Sequence, residues 1–319
     1  MSHAPWEEAG GRGRRLATEV GLALAALWAA SVLAFLVLKA MPADPVLLVL
    51  IDRNVPPTPE AVAELRAAWG LDRSLAGQYA DWLGRFLTGD WGVSFRTDRP
   101  VLTEFAERLP LSLAIGFGGL ALATVTAVGL GLAAAERPGG AADRATRLLA
   151  VLGQSIPAFW TALLMIRLFG VELRVLRPFL GGDVERLVLP VLLVALYSAG
   201  SLARVMRREL LATAGTPWFR TAMAKGLTRG QALRRHALRP ALGGLLAALV
   251  PECGWAVGGT AVAEVVFAVP GISAYLVESV AARDYFAIQG YVVAVAAWMT
   301  VVHLAAAVLR RAIDPRTVR

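Results

Sequence analysis

Several things are missing from this 319-residue chain, and each absence removes a class of function. There is a single cysteine, Cys253, so an intrachain disulfide and any multi-cysteine metal cluster are excluded. Three histidines and no H-E-x-x-H argue against a metalloprotease. No G-x-x-x-x-G-K-[ST] occurs, so no loop here cradles the phosphates of ATP, and the chain does not hydrolyse ATP itself. An intramembrane serine protease would need a serine in a glycine-flanked turn and a histidine on another span. Ser155 and His303 are formally available, but Ser155 lacks the glycine frame and His303 reads as a helix-packing polar residue. A passive channel would show a repeated pore-lining motif or a ring of charge, and neither is present. Charge itself is scarce: 18% of residues carry it, and long stretches have none.

What fills those stretches is apolar. The chain is 57% hydrophobic, above the roughly 45–50% of soluble domains. Its net charge is +8 (32 basic minus 24 acidic) and its isoelectric point is near 10.5. Such a balance can signal nucleic acid, but the basic residues sit beside the apolar runs. They read as determinants of membrane topology, with no nucleic-acid partner. The first apolar run is long enough to span, and no A-x-A-like site ends it, so it reads as a span and not as a cleaved signal peptide.

Taken in order, residues 1–15 read as a disordered cytoplasmic tail whose Arg12, Arg14 and Arg15 fix orientation. Residues 16–41 hold the first span, with Val20–Leu38 free of charge and just able to cross about 30 Å of hydrocarbon. Residues 42–108 balance acids and bases and read as a periplasmic helical insertion. In it, Thr58 and Pro59 start a helix that stops at Gly70. A second helix, Leu75 to about Leu87, carries Tyr79, Trp82, Leu83 and Phe86 on one face, for the headgroup layer or a partner subunit. Residues 109–313 form the transmembrane core. Its spans are Leu109–Ala135, Leu148–Ile166 with a kink at Pro157, Leu187–Ala203, Pro240–Val266 interrupted at Pro251, and Phe286–Leu309. Residues 314–319 are a cytoplasmic end. The fold class is therefore all-α and polytopic, with six spans and both termini inside.

Within the core, residues 204–239 form a cytoplasmic loop, and its stretch Trp218–Leu242 organises the rest. It carries Arg220, Lys225, Arg229, Arg234, Arg235 and Arg239 and no acid. Each such charge costs roughly 2.5–3.5 kcal/mol at a bilayer centre, so the stretch lies outside the membrane, on the cytoplasmic side. Gly226 should end a short helix in a left-handed cap. Thr228 should start the next, with Gln231 completing a capping box. Charge alone would fit a loop that binds anionic lipid, but Ala222, Ala224 and Gly226 are small enough to let a partner backbone come close.

The pattern R-T-A-x-A-K-G-L followed by R-x-H-x-L-R-x-A-L resembles the "EAA" loop of ABC importer permeases, most closely the peptide/nickel family. The Glu-Ala-Ala itself is replaced by Thr221-Ala222-Met223. Further matching phrases are Asp44-Pro45, Thr58–Glu60, Gly70–Asp72, Gln78–Leu83, Gly89–Ser94, Ser155–Trp160, Glu264 with Phe267 and Pro270-Gly271, Arg283–Tyr285 with Gln289-Gly290, and Asp314–Arg316. The resemblance implies a type I ABC importer permease fold. It implies that Arg220, Thr221, Ala222, Ala224, Lys225, Gly226, Leu227 and His236 dock on a separate ATPase subunit, where ATP and Mg are held, with no cofactor in this chain. It also implies the bacterial inner membrane, two ATPases, a periplasmic binding protein and a sister permease in a heterodimer. Nickel, metal chelates, dipeptides and oligopeptides are the implied cargo, with P-P-T-P-E leaning toward nickel.

Two more residue sets are candidates for the translocation path. Glu252, with Cys253 beside it, falls inside the fifth span, where a carboxylate is expected to face a polar cavity. Arg167 stands near the outer end of the third span, where it either snorkels to the interface or faces the path.

Overall fold

Long apolar runs punctuated by proline and glycine become helices, and in the computed structural model the described residues 5–39, 44–52, 54–179, 182 and 184–313 form no strand ladder, only an isolated bridge between Val93 and Pro100. Two units result: Met1–Arg108 with Tyr275–Arg319, and Leu109–Ala274. By length and composition, five helices can cross a membrane, or six when one bent pair counts as a span.

In the first unit, α1 runs Pro5–Lys39. The expected tail is thus helical from Pro5, because extending a formed helix gains a hydrogen bond for each residue fixed. Residues 1–4 and 314–319, with the Asp314–Arg316 phrase, lie outside the described residues. A short helix that the sequence reading lacks, α2 (Pro45–Asp52), follows, and Asp44 accepts from the Val46 N–H at its start. In α3 (Pro59–Ala68), Thr58 caps as expected, accepting from Ala61 N at 3.3 Å, and Gly70 turns the chain at φ +64°. Ser74 caps α4 (Leu75–Leu87). The aromatic face of α4 packs in part on its own chain. Trp82 packs with Phe35 and Val293, flanked by Tyr79, Leu83 and Phe86, and Ser31 and Tyr79 hydroxyls bond at 2.8 Å. Burying this face within the chain removes several aromatic side chains from water, worth more than surface contact.

Helix α5 (Val101–Glu136) begins well before the expected Leu109. Its early charges are tolerated because buried Glu104 pairs with Arg99 at 2.8 Å and with Arg108 at 2.6 Å. Only residues 137–140 separate α5 from α6 (Ala141–Ser155). At Pro157 the chain does more than kink. Helix α7 (Ala158–Met165), continued as a π-turn through Glu172, leaves α6 at 107°. The residue before a proline is pushed out of the helical region, and Ile156 sits at φ −92°, ψ 127°. The carbonyl freed there is satisfied by a neighbouring helix, as expected: the Tyr197 hydroxyl donates to Ile156 O.

Helix α8 (Glu185–Ala214) holds Tyr197 and outruns the expected end at Ala203. Positive charge ends a span, not a helix: Arg207 pairs with buried Asp143 of α6 at 2.7 Å. In this second unit α8 packs on α6, where Gly200 lies against the Ala150 backbone. After α9 (Pro217–Ala224), α10 (Arg229–Ala232) passes through a π-turn, Leu233–Ala237, into α11 (Leu238–Gly258), which also packs on α8. The fifth span is thus continuous with the loop's second helix, and it runs unbroken through Pro251. Its interruption comes at Gly259-Thr260, before α12 (Ala261–Val266), where the Thr260 hydroxyl turns back to Glu264. Helices α13 (Ile272–Ala281) and α14 (Tyr285–Ile313) complete the chain, and α14 packs along α1.

Candidate functional site

The basic loop folds as a braced elbow. Pro217 at N1 starts α9 with Phe219 and Ala222 buried, while Arg220, Thr221 and Ala224 face out. Ala222 therefore packs toward this chain's own core. Lys225 closes the helix, and Gly226 sits at φ +90°, its N–H donating to Met223 O at 3.0 Å. That left-handed position suits glycine because a Cβ would be strained there. Leu227 is half-buried against the core of the second unit. Thr228 Oγ1 accepts from Gln231 N at 3.3 Å, and Thr228 N donates to Gln231 Oε1 at 3.0 Å, forming the expected capping box.

Two further contacts fix the elbow to the second unit's helices. Arg229 Nε donates to Ala135 O at 3.1 Å near the end of α5. Gly230 lies so close to Glu136 that an added Cβ would strike its carboxylate. His236 is exposed, with its ring 6.4 Å from that of Trp218, so the two arms of the elbow touch through aromatic edges. Arg234, Arg235 and Arg239 are exposed as well. The result is a short helix with an apolar back held in the core and a cationic front left open.

A cavity of about 240 Å³ opens beside α11, and Glu252 lines it. Ser198 of α8 donates to Glu252 Oε2 at 2.8 Å. Cys253 is half-buried on an adjacent face, against the core, and Arg167 is exposed on the π-turn with Glu172 at 2.8 Å. Neither lines the cavity with Glu252.

A second carboxylate, Glu264 on α12, is fully buried. One oxygen accepts from the Ser112 and Thr260 hydroxyls, the other from the N–H groups of Ser273 (2.8 Å) and Ala274 (2.9 Å) in the first turn of α13. Ser112 in turn accepts from Ile272 N at 2.9 Å. An anion at a helix N-terminus is stabilised by the free amides and the helix dipole. The sequence showed Glu264 only as part of a phrase, and Ser112 and Ser198 carried no local signal. In the first unit, Ser94 of the Gly89–Ser94 phrase bonds Asp284 of the Arg283–Tyr285 phrase, bringing two of the sequence's motifs together.

Multiple apolar helices long enough to cross a membrane, with a braced basic elbow between them, define a polytopic membrane protein. The comparison with known proteins agrees. The pattern described as "Binding-protein-dependent transport system inner membrane component" matches residues 127–319, and its N-terminal companion matches residues 14–116. The chain belongs to this family, and it is a permease component of an ABC importer. It is similar to a Brucella abortus (strain 2308) protein provisionally named a peptide transport system permease protein. The two are 32% identical over 305 residues, covering 93% of this chain and 96% of the relative. The dipeptide transport system permease protein DppB of Lactococcus lactis is 32% identical over 299 residues, with the same coverage. DppB of Escherichia coli (strain K12) is 28% identical over 328 residues, again covering 93% and 96%. These relatives are named as permease components of transport systems, so this chain is a transporter subunit and not itself an enzyme. They are named for peptides, and none of them indicates the nickel toward which P-P-T-P-E leans. In the structure that phrase starts a helix, with a capping threonine before a proline.

Proposed function

We propose that this chain is one of two permease subunits that carry di- or oligopeptides across a bacterial inner membrane, with a sister permease as its partner in a heterodimer. Both termini and the elbow lie in the cytoplasm, and a periplasmic binding protein delivers cargo at the opposite face. Two separate ATPase subunits receive the α9 front, formed by Arg220, Thr221, Ala224 and Lys225, and their closure moves the elbow as a lever. The observation that carries this reading is the asymmetry of α9: a back anchored by Phe219 and Ala222, and an exposed cationic front. Because α10 continues through the π-turn into α11, displacement of the elbow acts on the span that bears Glu252, which lines the path.

The peptide reading rests on the names of the relatives. It is tested by reconstituting the full complex in liposomes and comparing uptake of radiolabelled dialanine with that of nickel. The lever is tested by Gly226→Trp, which forces a bulky side chain onto a left-handed backbone. Transport should be lost while the subunit still inserts, and unimpaired uptake would refute the lever.

A further inference from the structure

The Glu252 cavity holds a carboxyl group for which the described lining residues provide no cationic partner. Its walls are apolar and aromatic, among them Leu193, Tyr197 and Trp255, and no Lys, Arg or His is among the described residues lining it. The hydroxyls that do reach it are engaged elsewhere: Tyr197 donates to Ile156 O, and Thr260 donates to Glu264. Ser198 makes one bond to the carboxylate, and a carboxylate offers roughly four acceptor sites. Trp255 is 66% exposed and presents an indole beside this acid.

An uncompensated carboxylate and an aromatic face together make a receptor for an organic cation. A divalent metal would want several oxygen or nitrogen ligands, and among the described residues no group of three or more His, Cys, Asp or Glu stands together. The volume sets the size of the guest. At about 240 Å³ the cavity is smaller than the roughly 300–1,000 Å³ of sites that enclose a whole small molecule. It therefore takes one end of a ligand.

We propose that Glu252 receives the amino-terminal ammonium of a peptide in transit, with Trp255 against the cation and the apolar wall around Leu193 against the first side chain. This rests on the peptide reading above. A peptide's amino terminus fits each requirement: a primary ammonium with three donors, a small first residue, and the rest of the chain left outside the pocket. Ser198 orients the carboxylate and leaves its other acceptor sites to the guest.

The test uses the complete complex, with its binding protein, reconstituted in liposomes and assayed with radiolabelled dialanine. Uptake and the gel-filtration profile of the purified complex are both recorded. Glu252→Gln should lower the maximal uptake rate about ten-fold or more while the complex still elutes as one assembled species. Glu252→Asp keeps the charge and should retain uptake to within about three-fold. Unchanged uptake in Glu252→Gln overturns the proposal. So does loss of the assembled complex in that variant, since the residue would then serve the α8–α11 packing through Ser198. An aspartate as poor as glutamine overturns it too, because charge would not be what matters. Failure of the unaltered complex to transport dialanine is a separate result: it defeats the peptide reading, and this inference with it.

Discussion

The Ser112 hydroxyl donates to a Glu264 carboxylate oxygen at 2.7 Å across 152 residues of sequence, and through that bond α5, α12 and the first turn of α13 share one buried anion. No cation neutralises it among the described bonds. Its charge is carried by hydroxyls and by amides at a helix start, an arrangement that is favourable only while every donor is in place. Replacing Glu264 by alanine strands two hydroxyls and two amides, each costing about 1–3 kcal/mol when unmet. Glu264→Ala should therefore melt well below the unaltered protein in detergent, with a loss of several kcal/mol, and Glu264→Gln should fall between. An unchanged melting temperature in Glu264→Ala would rule out the shared-anion account.

The break at Pro157 relies on Tyr197. Its hydroxyl caps the Ile156 carbonyl and lies 3.1 Å from the Thr161 hydroxyl. Tyr197→Phe should cost about 0.5–1.5 kcal/mol, since the Ile156 carbonyl loses its donor. Faster amide exchange confined to the residues around 156–161 would report it, and exchange identical to the unaltered protein would contradict it.

The elbow's second arm starts at a capping box. Thr228→Ala should destabilise the loop by about 1 kcal/mol, and Thr228→Ser should restore most of that. Because the arm is continuous with α11, ATP hydrolysis should also become less dependent on loaded binding protein in the alanine variant. Equal coupling in all three proteins would separate the cap from force transfer.

Gly200 sits where α8 crosses α6. A Cβ there would come within 2.5 Å of Ala150 Cα, and backbone cannot yield as a side-chain tip does. Gly200→Val should force the helices apart at a cost of about 2 kcal/mol or more. Insertion would persist but the detergent-solubilised protein should melt earlier, whereas Gly129→Val, with open space around it, should not.

The Asp143–Arg207 pair joins the same two helices. Asp143 is buried and also accepts from Gly139 N at 2.7 Å. Arg207→Leu leaves that charge to Arg147 at 3.4 Å and the Gly139 amide and should cost about 1–3 kcal/mol. The double variant Asp143→Asn with Arg207→Leu should recover part of the loss, and a double variant worse than the single would argue against pairing.

Much of the secondary structure was legible because its signals are local. Thr58 before Pro59, Gly70, Gly226 and the Thr228–Gln231 box act over a few residues, and each stands as read. Span boundaries were less legible. By charge the span ends at Arg204 and Arg207, yet α8 continues to Ala214, because a helix needs only its own hydrogen bonds to continue and a partner such as Asp143 for its charge. The depth of the break at Pro157 depended on a tyrosine forty-one residues away.

By itself, the sequence determined that this chain is helical, crosses a membrane several times and exposes a cationic elbow, since hydropathy, charge and capping are properties of neighbouring residues. Tertiary structure alone decided which acids are held and which are open. Glu252 and Glu264 lie twelve residues apart on one apolar stretch. Packing gives Glu264 four donors from α5, the turn at Thr260 and α13, while it gives Glu252 one serine and a cavity, because Ser112 and Ser198 stand 152 and 54 residues from the acids they bond and reach them only when the helices meet.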